Sequence, residues 1–287
     1  MPFVSASAIS PYNGIRGGAS ASLPTLFLDS YTDAAAAFAL IKLRTGYSGN
    51  CIKVRKTVGG TTTDQDIGFV NNVLDTAAIA TFCGTADGFV SKKYDQSTNG
   101  NNQTQTTAIK QPKIYDGSSQ SINVLNSLPA LLYPATTVTE FDTAIEVVSV
   151  FAIINSNTLR TFNQYIGGIS GGSTTALANG GTFGTANGLT FIGGGQTALG
   201  NTENDSRVLC NVINSSTSLK MSINGNSLTT FTRTSGLQAR FVGNREAAAR
   251  DFLGLDGNIQ FEAYFQNDQS SNFAGIQDFI NSAYSIY

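Results

Sequence analysis

The side chains able to do chemistry in this sequence are its carboxylates, its tyrosines and amides, and its three cysteines. No histidine occurs in the 287 residues, so acid/base work and cation binding fall to the 19 Asp and Glu. Those lying near turns or strands are Asp64, Asp66, Asp95, Asp116, Glu140, Asp142, Glu146, Glu203, Asp205 and Glu262. Asp95 stands just before Ser97-Thr98-Asn99-Gly100. A carboxylate in that position ordinarily accepts backbone N–H groups of the turn that follows. Catalysis or cation binding is its alternative work. Asp64 and Asp66 have the same two readings, with a packing turn favoured. Glu262 lies in a strand pattern, where a carboxylate is expected to be capped or paired.

Sugar recognition needs aromatic faces and hydrogen-bonding amides on a concave surface. The candidates are Tyr115, Tyr133 and Tyr165, with Asn99 and Asn101 from the Asn-rich loop at 99–102. Tyrosine in a sandwich is also a common core residue, with its ring packed and its hydroxyl bonded. Cys51, Cys83 and Cys210 are far apart and form no CxxC, which argues against a disulfide framework. Without histidine a structural zinc site is not expected. Cys51 and Cys210 sit in apolar strand patterns and read as buried small hydrophobes. No metal site is expected, because no Asp-x-Asp-x-Asp loop occurs. Ca²⁺ held by loop carboxylates and amide oxygens stays open as the one alternative to having no cofactor.

The elements that must position these residues are mostly strands. Only 13% of the residues are charged, about half the roughly 25% of an ordinary domain. Ser, Thr, Asn and Gln must therefore wet the surface. A net charge of −2 gives no footprint for nucleic acid. Lys53, Arg55 and Lys56 read as the wet side of a strand. No apolar run approaches the roughly 18 residues of a membrane span, so no membrane partner is expected. Met1-Pro2-Phe3-Val4 does not open like a signal peptide. A helix is expected over residues 34–44, capped by Ser30 or Thr32 and stopped by Gly46. A second runs from the N-cap Asp75 to Gly84. Residues 146–154 read as one central strand. Residues 207–213 and 218–223 read as two more, the latter leading through Asn224-Gly225 into a hairpin with 227–231. The Gly-, Thr- and Ala-rich stretch at 167–200 reads as short strands with broad loops. A last strand is followed by a helix with Ile276, Phe279, Ile280 and Tyr284 on its inner face.

One stretch carries a family likeness. Tyr94-Asp95-Gln96-Ser97-Thr98-Asn99-Gly100-Asn101-Asn102-Gln103-Thr104-Gln105 resembles a signature of the catalytic domain of α-L-arabinofuranosidase B-type enzymes. The likeness extends to Gly46-Tyr47-Ser48-Gly49, Cys51-Ile52-Lys53-Val54-Arg55, Asp64-Gln65-Asp66-Ile67-Gly68, Leu74-Asp75-Thr76-Ala77-Ala78 and Gln111-Pro112-Lys113-Ile114. Gly257-Asn258-Ile259-Gln260-Phe261-Glu262 in turn resembles the closing strand of concanavalin/laminin-G-like jelly rolls. Together they imply an all-β, concanavalin-like β-sandwich (jelly roll) over residues 31–287, with a few short helices and an extended N-terminal arm at 1–30.

The resemblance also frames the function. A retaining enzyme of this kind needs two carboxyl groups about 5 Å apart. The enzymes carry that pair in their second half, where this sequence follows their pattern poorly. It also lacks their Cys-Cys pair and their sugar-covering tryptophan. The expectation is therefore no catalytic residue and no enzyme. The chain is expected to be a bacteriophage virion structural protein: a head decoration, head fibre or tail-associated subunit, made in the host cytoplasm and located in the virion. Phe3, Val4, Ile9, Tyr12 and Ile15 would dock the arm on other virion proteins, in a homo-oligomer that also binds glycans. A lectin-like carbohydrate-binding module and an α-L-arabinofuranosidase are the alternatives.

Overall fold

One strand organises the fold of the computed structural model, and it is Gly257–Phe265, buried along its whole length. The structure describes residues 25–157, 163–170, 173–179, 189–192, 196–199, 207–214, 218–231, 237–244 and 254–287. On one edge this closing strand pairs antiparallel with Ser149–Ser156. On the other it pairs with Ala34–Ala39 and with Leu131–Tyr133. The sheet continues outward from Ser149–Ser156 through Arg207–Asn214, Leu219–Ile223 and Thr229–Phe231. Gly257 sits at a close approach of two backbones. A Cβ there would lie 1.8 Å from the Asn155 carbonyl oxygen, so only glycine fits.

A second run of strands faces the first. Thr61–Ile67, Ile52–Val58, Gly88–Lys93, Gln103–Thr104, Thr139–Val147, Leu237–Val242 and Asn163–Ser170 follow one another across it. Ser173–Asn179, Leu189–Ile192 and Gln196–Leu199 extend it as a meander. Lys113–Asp116 joins the two runs by pairing with both Gly88–Lys93 and Leu131–Tyr133. The core lies between them: Val54, Val90, Phe141 and Val242 pack toward Phe38, Val150, Ile154 and Tyr264. This is the all-β sandwich expected from the sequence.

A second core covers the far face of the closing strand. Phe151, Phe261 and Phe265 pack there under Phe27 and Leu28 of the helix Phe27–Ser30, and under Ile276, Ile280 and Tyr284 of the helix Phe273–Tyr284. Phe27 meets Phe261 edge-on at 5.1 Å. Phe27 and Leu28 are both fully buried in this core. Phe3, Val4, Ile9, Tyr12 and Ile15 lie outside the described residues. No described helix is long and apolar enough to cross a membrane.

Three local expectations are corrected. Residues 34–44 form no helix: Ala34–Ala39 is a strand buried on both faces. Ala35, Ala36 and Phe38 join the inter-sheet core, while Ala34, Ala37 and Ala39 join the helix-covered one. Tertiary burial here overrides alanine's helix propensity. The expected strand at 146–154 is two strands, broken at Val148, whose N–H turns to the carbonyl of Phe265. Asp64 and Asp66 lie on the strand Thr61–Ile67 and not in a turn, because they answer Arg55 and Lys53 across the ladder. The helix Thr76–Cys83 forms as expected, with the Asp75 carboxylate accepting from Ala78 N–H and Gly84 ending it at φ 60°.

Candidate functional site

The signature loop at 94–105 is the edge seal of the alanine strand. Ala34–Ala39 pairs with the closing strand on one side only. Its other side meets the loop: Gln96 N–H donates to the Ala37 carbonyl, and Ala37 N–H to Asp95 Oδ1, both at 2.9 Å. Asn99 Nδ2 donates to the Ala34 carbonyl at 2.9 Å and Asn101 Nδ2 to that of Ala35 at 2.8 Å. Gln96 Nε2 serves Ala39, and its Oε1 accepts from Leu43 N–H. The Asp95 carboxylate also accepts from Ser97 N–H, Ser97 Oγ and Asn101 N–H. Side chains thus do the work of a missing neighbour strand, and the edge is closed to other chains. Asp95 is a turn-building carboxylate, as its position predicts. The amides of Asn99 and Asn101 are engaged in the same seal.

The candidate tyrosines differ in what they offer a sugar. Tyr115 is 2% exposed and its hydroxyl donates to the Gly84 carbonyl. Tyr133 is fully buried, its hydroxyl against Thr139 Oγ1 at 3.2 Å. Neither ring presents a face on which a ligand could stack. Tyr165 lies on Asn163–Ser170, but its side chain is outside the described residues.

Inside the core a polar network crosses between the sheets. Lys93 and Glu262 form a buried ion pair. Gln103 Oε1 accepts from Lys93 Nζ at 2.9 Å and from Thr139 Oγ1 at 2.9 Å. Tyr264 donates its hydroxyl to Glu262 Oε1 at 2.6 Å. Burial pushes the Lys93 ammonium down from its usual value, against the pull of Glu262. Glu262 is therefore a paired strand carboxylate, as expected. Cys51 is buried beside this network with its thiol toward the Ala39 carbonyl, and burial pushes that thiol well up. It is not poised as a nucleophile. Among the described residues no group of Cys, Asp and Glu converges in a way that could hold a metal ion.

Open polar space lies elsewhere. A cleft of about 240 Å³ is lined by Thr104, Gln105, Thr106, Glu140, Phe141, Asp142 and Arg240. Glu140 and Asp142 are two residues apart on the strand Thr139–Val147, so they share its outer face while Phe141 points into the core. That spacing sets their Cβ atoms roughly 7 Å apart. Arg240, from the neighbouring strand, holds the pair in place. Its Nη1 donates to the carbonyls of Phe141 and Asp142, and its Nη2 lies 3.6 Å from Glu140 Oε2. Thr104 Oγ1 donates to Asp142 Oδ1 at 2.8 Å. Each carboxylate still has acceptor capacity for a ligand hydroxyl. Asp87 and Asp116 also come together, both at 2.9 Å from Lys113 Nζ. They are occupied, however: Gly117 N–H donates to Asp87, and the Ser118 and Ser119 N–H groups donate to Asp116. Glu140 and Asp142 stand among the carboxylates the sequence offers near turns and strands, but nothing there singles them out as a pair. Arg240 was not legible, because only the ladder between distant strands brings it there.

No family model matches the sequence, and no curated protein matches it. Solved structures do match the fold. A GH54 α-L-arabinofuranosidase soaked with a cyclic sulfate inhibitor aligns with a TM-score of 0.65 at 15% identity, over 89% of this chain and 64% of its own. An arabinofuranosidase complexed with arabinofuranosyl-α-1,2-xylobiose aligns at 0.65 and 14% identity, over 88% and 63%. A glutamate-to-glutamine mutant of a GH54 enzyme soaked with 4-nitrophenyl α-L-arabinofuranoside aligns at 0.66 and 14% identity, over 89% and 64%. The chain therefore has the fold of these enzymes and spans a little under two thirds of their length. The expectations of a non-catalytic virion structural protein and of no enzyme are corrected by this finding. The matched structures are glycoside hydrolases caught with substrate or inhibitor. The match covers 88–89% of this chain, so the shared fold extends into its second half.

Proposed function

We propose that this chain is a carbohydrate-active protein that hydrolyses α-L-arabinofuranosyl groups, with the cleft at Glu140, Asp142 and Arg240 as its sugar site. The alignment of nearly the whole sandwich with arabinofuranosidase complexes carries the reading. The cleft supplies the chemistry such a reaction asks for: two carboxylates on one face, one of them beside a fixed guanidinium, in an open pocket of furanose size. One carboxyl group would protonate the leaving oxygen while the other attacks the anomeric carbon or activates water. Arg240 would orient Glu140, and Thr104 would orient Asp142.

Release of 4-nitrophenol from 4-nitrophenyl α-L-arabinofuranoside tests the reading. The wild-type protein is expected to turn the substrate over. Glu140→Gln and Asp142→Asn should each lower kcat roughly 10²–10⁴-fold, the usual share of a positioned acid or base. A wild-type rate no higher than buffer, on this and other furanosides, overturns hydrolysis. Active wild-type protein with undiminished variants keeps the reaction and moves the site elsewhere.

A further inference from the structure

Lys93 and Glu262 approach each other from opposite sheets and meet in the middle of the core. Their side chains are 5% and 2% exposed and in direct contact. Two ions in so dry a place carry a desolvation cost of several kcal/mol each. Passing one proton from ammonium to carboxylate removes both charges and leaves an amine against a carboxylic acid. Burial already shifts Lys93 in that direction. A desolvated lysine amine is a nucleophile.

The surroundings of the acid match an attack on it. Glu262 Oε1 accepts from the Tyr264 hydroxyl at 2.6 Å and from Gln103 Nε2 at 3.3 Å, while Lys93 touches the other oxygen, Oε2. Two neutral donors thus sit where negative charge would build if the carboxyl carbon became tetrahedral. Gln103 Oε1 holds Lys93 Nζ at 2.9 Å, and the Phe38 ring lies 4.9 Å from it. A cavity of about 10 Å³ adjoins the pair and is lined by both residues, which is space for about one water molecule. Gln260, itself 2% exposed, lines the same cavity, and its Oε1 has no hydrogen-bond partner among the described residues.

We propose that Lys93 and Glu262 become joined, after folding, by an intramolecular isopeptide bond between the two sheets. Lys93 Nζ bonds to Glu262 Cδ, and the Cδ–Oε2 bond breaks. Two protons of the original ammonium depart with Oε2 as water, leaving a neutral secondary amide. Nothing is oxidised or reduced, and no co-reactant is needed. Tyr264 and Gln103 hold the developing charge on Oε1, and the adjoining cavity takes the released water, with Gln260 Oε1 as its acceptor. Folding itself supplies the proximity that makes such a step fast. The bond closes a loop between positions 169 residues apart.

Mass spectrometry of the full-length protein under denaturing conditions tests the proposal. The expected mass is that of the linear sequence less one water. Proteolysis should then give a branched peptide whose fragmentation places the link at Lys93 and Glu262. A mass equal to the linear sequence, with the two residues recovered in separate peptides, overturns the proposal. Lys93→Arg should restore the linear mass, and a deficit that persists in that variant overturns the assignment to Lys93. The wild-type measurement is decisive even where the variant does not fold.

Discussion

Asp95 shows how much one side chain can hold. Its two oxygens take four donors, two from its own turn and two from outside it, one being the N–H of Ala37 on the alanine strand. Replacing it with alanine leaves buried N–H groups without acceptors, each worth about 1–3 kcal/mol. Asp95→Ala is therefore expected to cost about 3 kcal/mol or more in a urea titration, with no change in the Glu140 cleft. A loss under about 0.5 kcal/mol, the range of an ordinary surface change, would remove the seal's structural role. The position before Ser97 made a turn-building carboxylate legible in the sequence. The strand it serves was not legible, because those partners lie 58 residues away. Tyr115 and Tyr133 show the converse limit: residue type proposes an aromatic face, and only packing says whether water can reach it.

At the scale of the element, the alanine strand is the place where local sequence misleads. Four alanines in a row favour a helix by propensity. Here they are chosen for size, since the strand is covered on one face by the opposite sheet and on the other by the terminal helix. Small side chains also let the seal loop reach the backbone carbonyls of Ala34 and Ala35. Ala37 is fully buried in the helix-covered core. Ala37→Leu should improve helix propensity on paper yet destabilise the protein by about 1–3 kcal/mol through overpacking. Thermal unfolding measures this, and a raised Tm would contradict the strand. By contrast, the helix at Thr76–Cys83 and the Asn224-Gly225 hairpin were legible, because caps and turn residues act locally.

For the molecule as a whole, several buried or half-buried acids titrate against the fold in the same direction. Burial raises the hydroxyl of Tyr133 well above its ordinary value of 10.0, and that of Tyr47 to about 12. Burial pushes the Cys51 thiol up as well. Each native group holds its proton longer than its unfolded counterpart. The contribution of the two tyrosines is fully present below pH 10 and is lost as the pH climbs through about 12 and beyond. That of the thiol is fully present only below its ordinary value of 9.0. The urea midpoint should therefore be steady at neutral pH and fall steeply across that interval, with the Tyr47 and Tyr133 hydroxyls ionising only as the chain unfolds. Free titration of all tyrosines near pH 10 in folded protein would contradict this packing. The sandwich class was legible from strand runs and turn pairs, whereas the pairing of strands was not, since it depends on partners far apart in sequence. The closing strand shows what that separation means in time. Ala39 pairs with Phe261, more than two hundred residues further on. A growing chain thus makes its early alanine strand long before the partner exists. Contacts of such separation are slow to find, so the seal loop is the neighbour available to shield that strand during synthesis. A chain halted before the closing strand would hold half a core open to water, and chaperones are expected to meet it there.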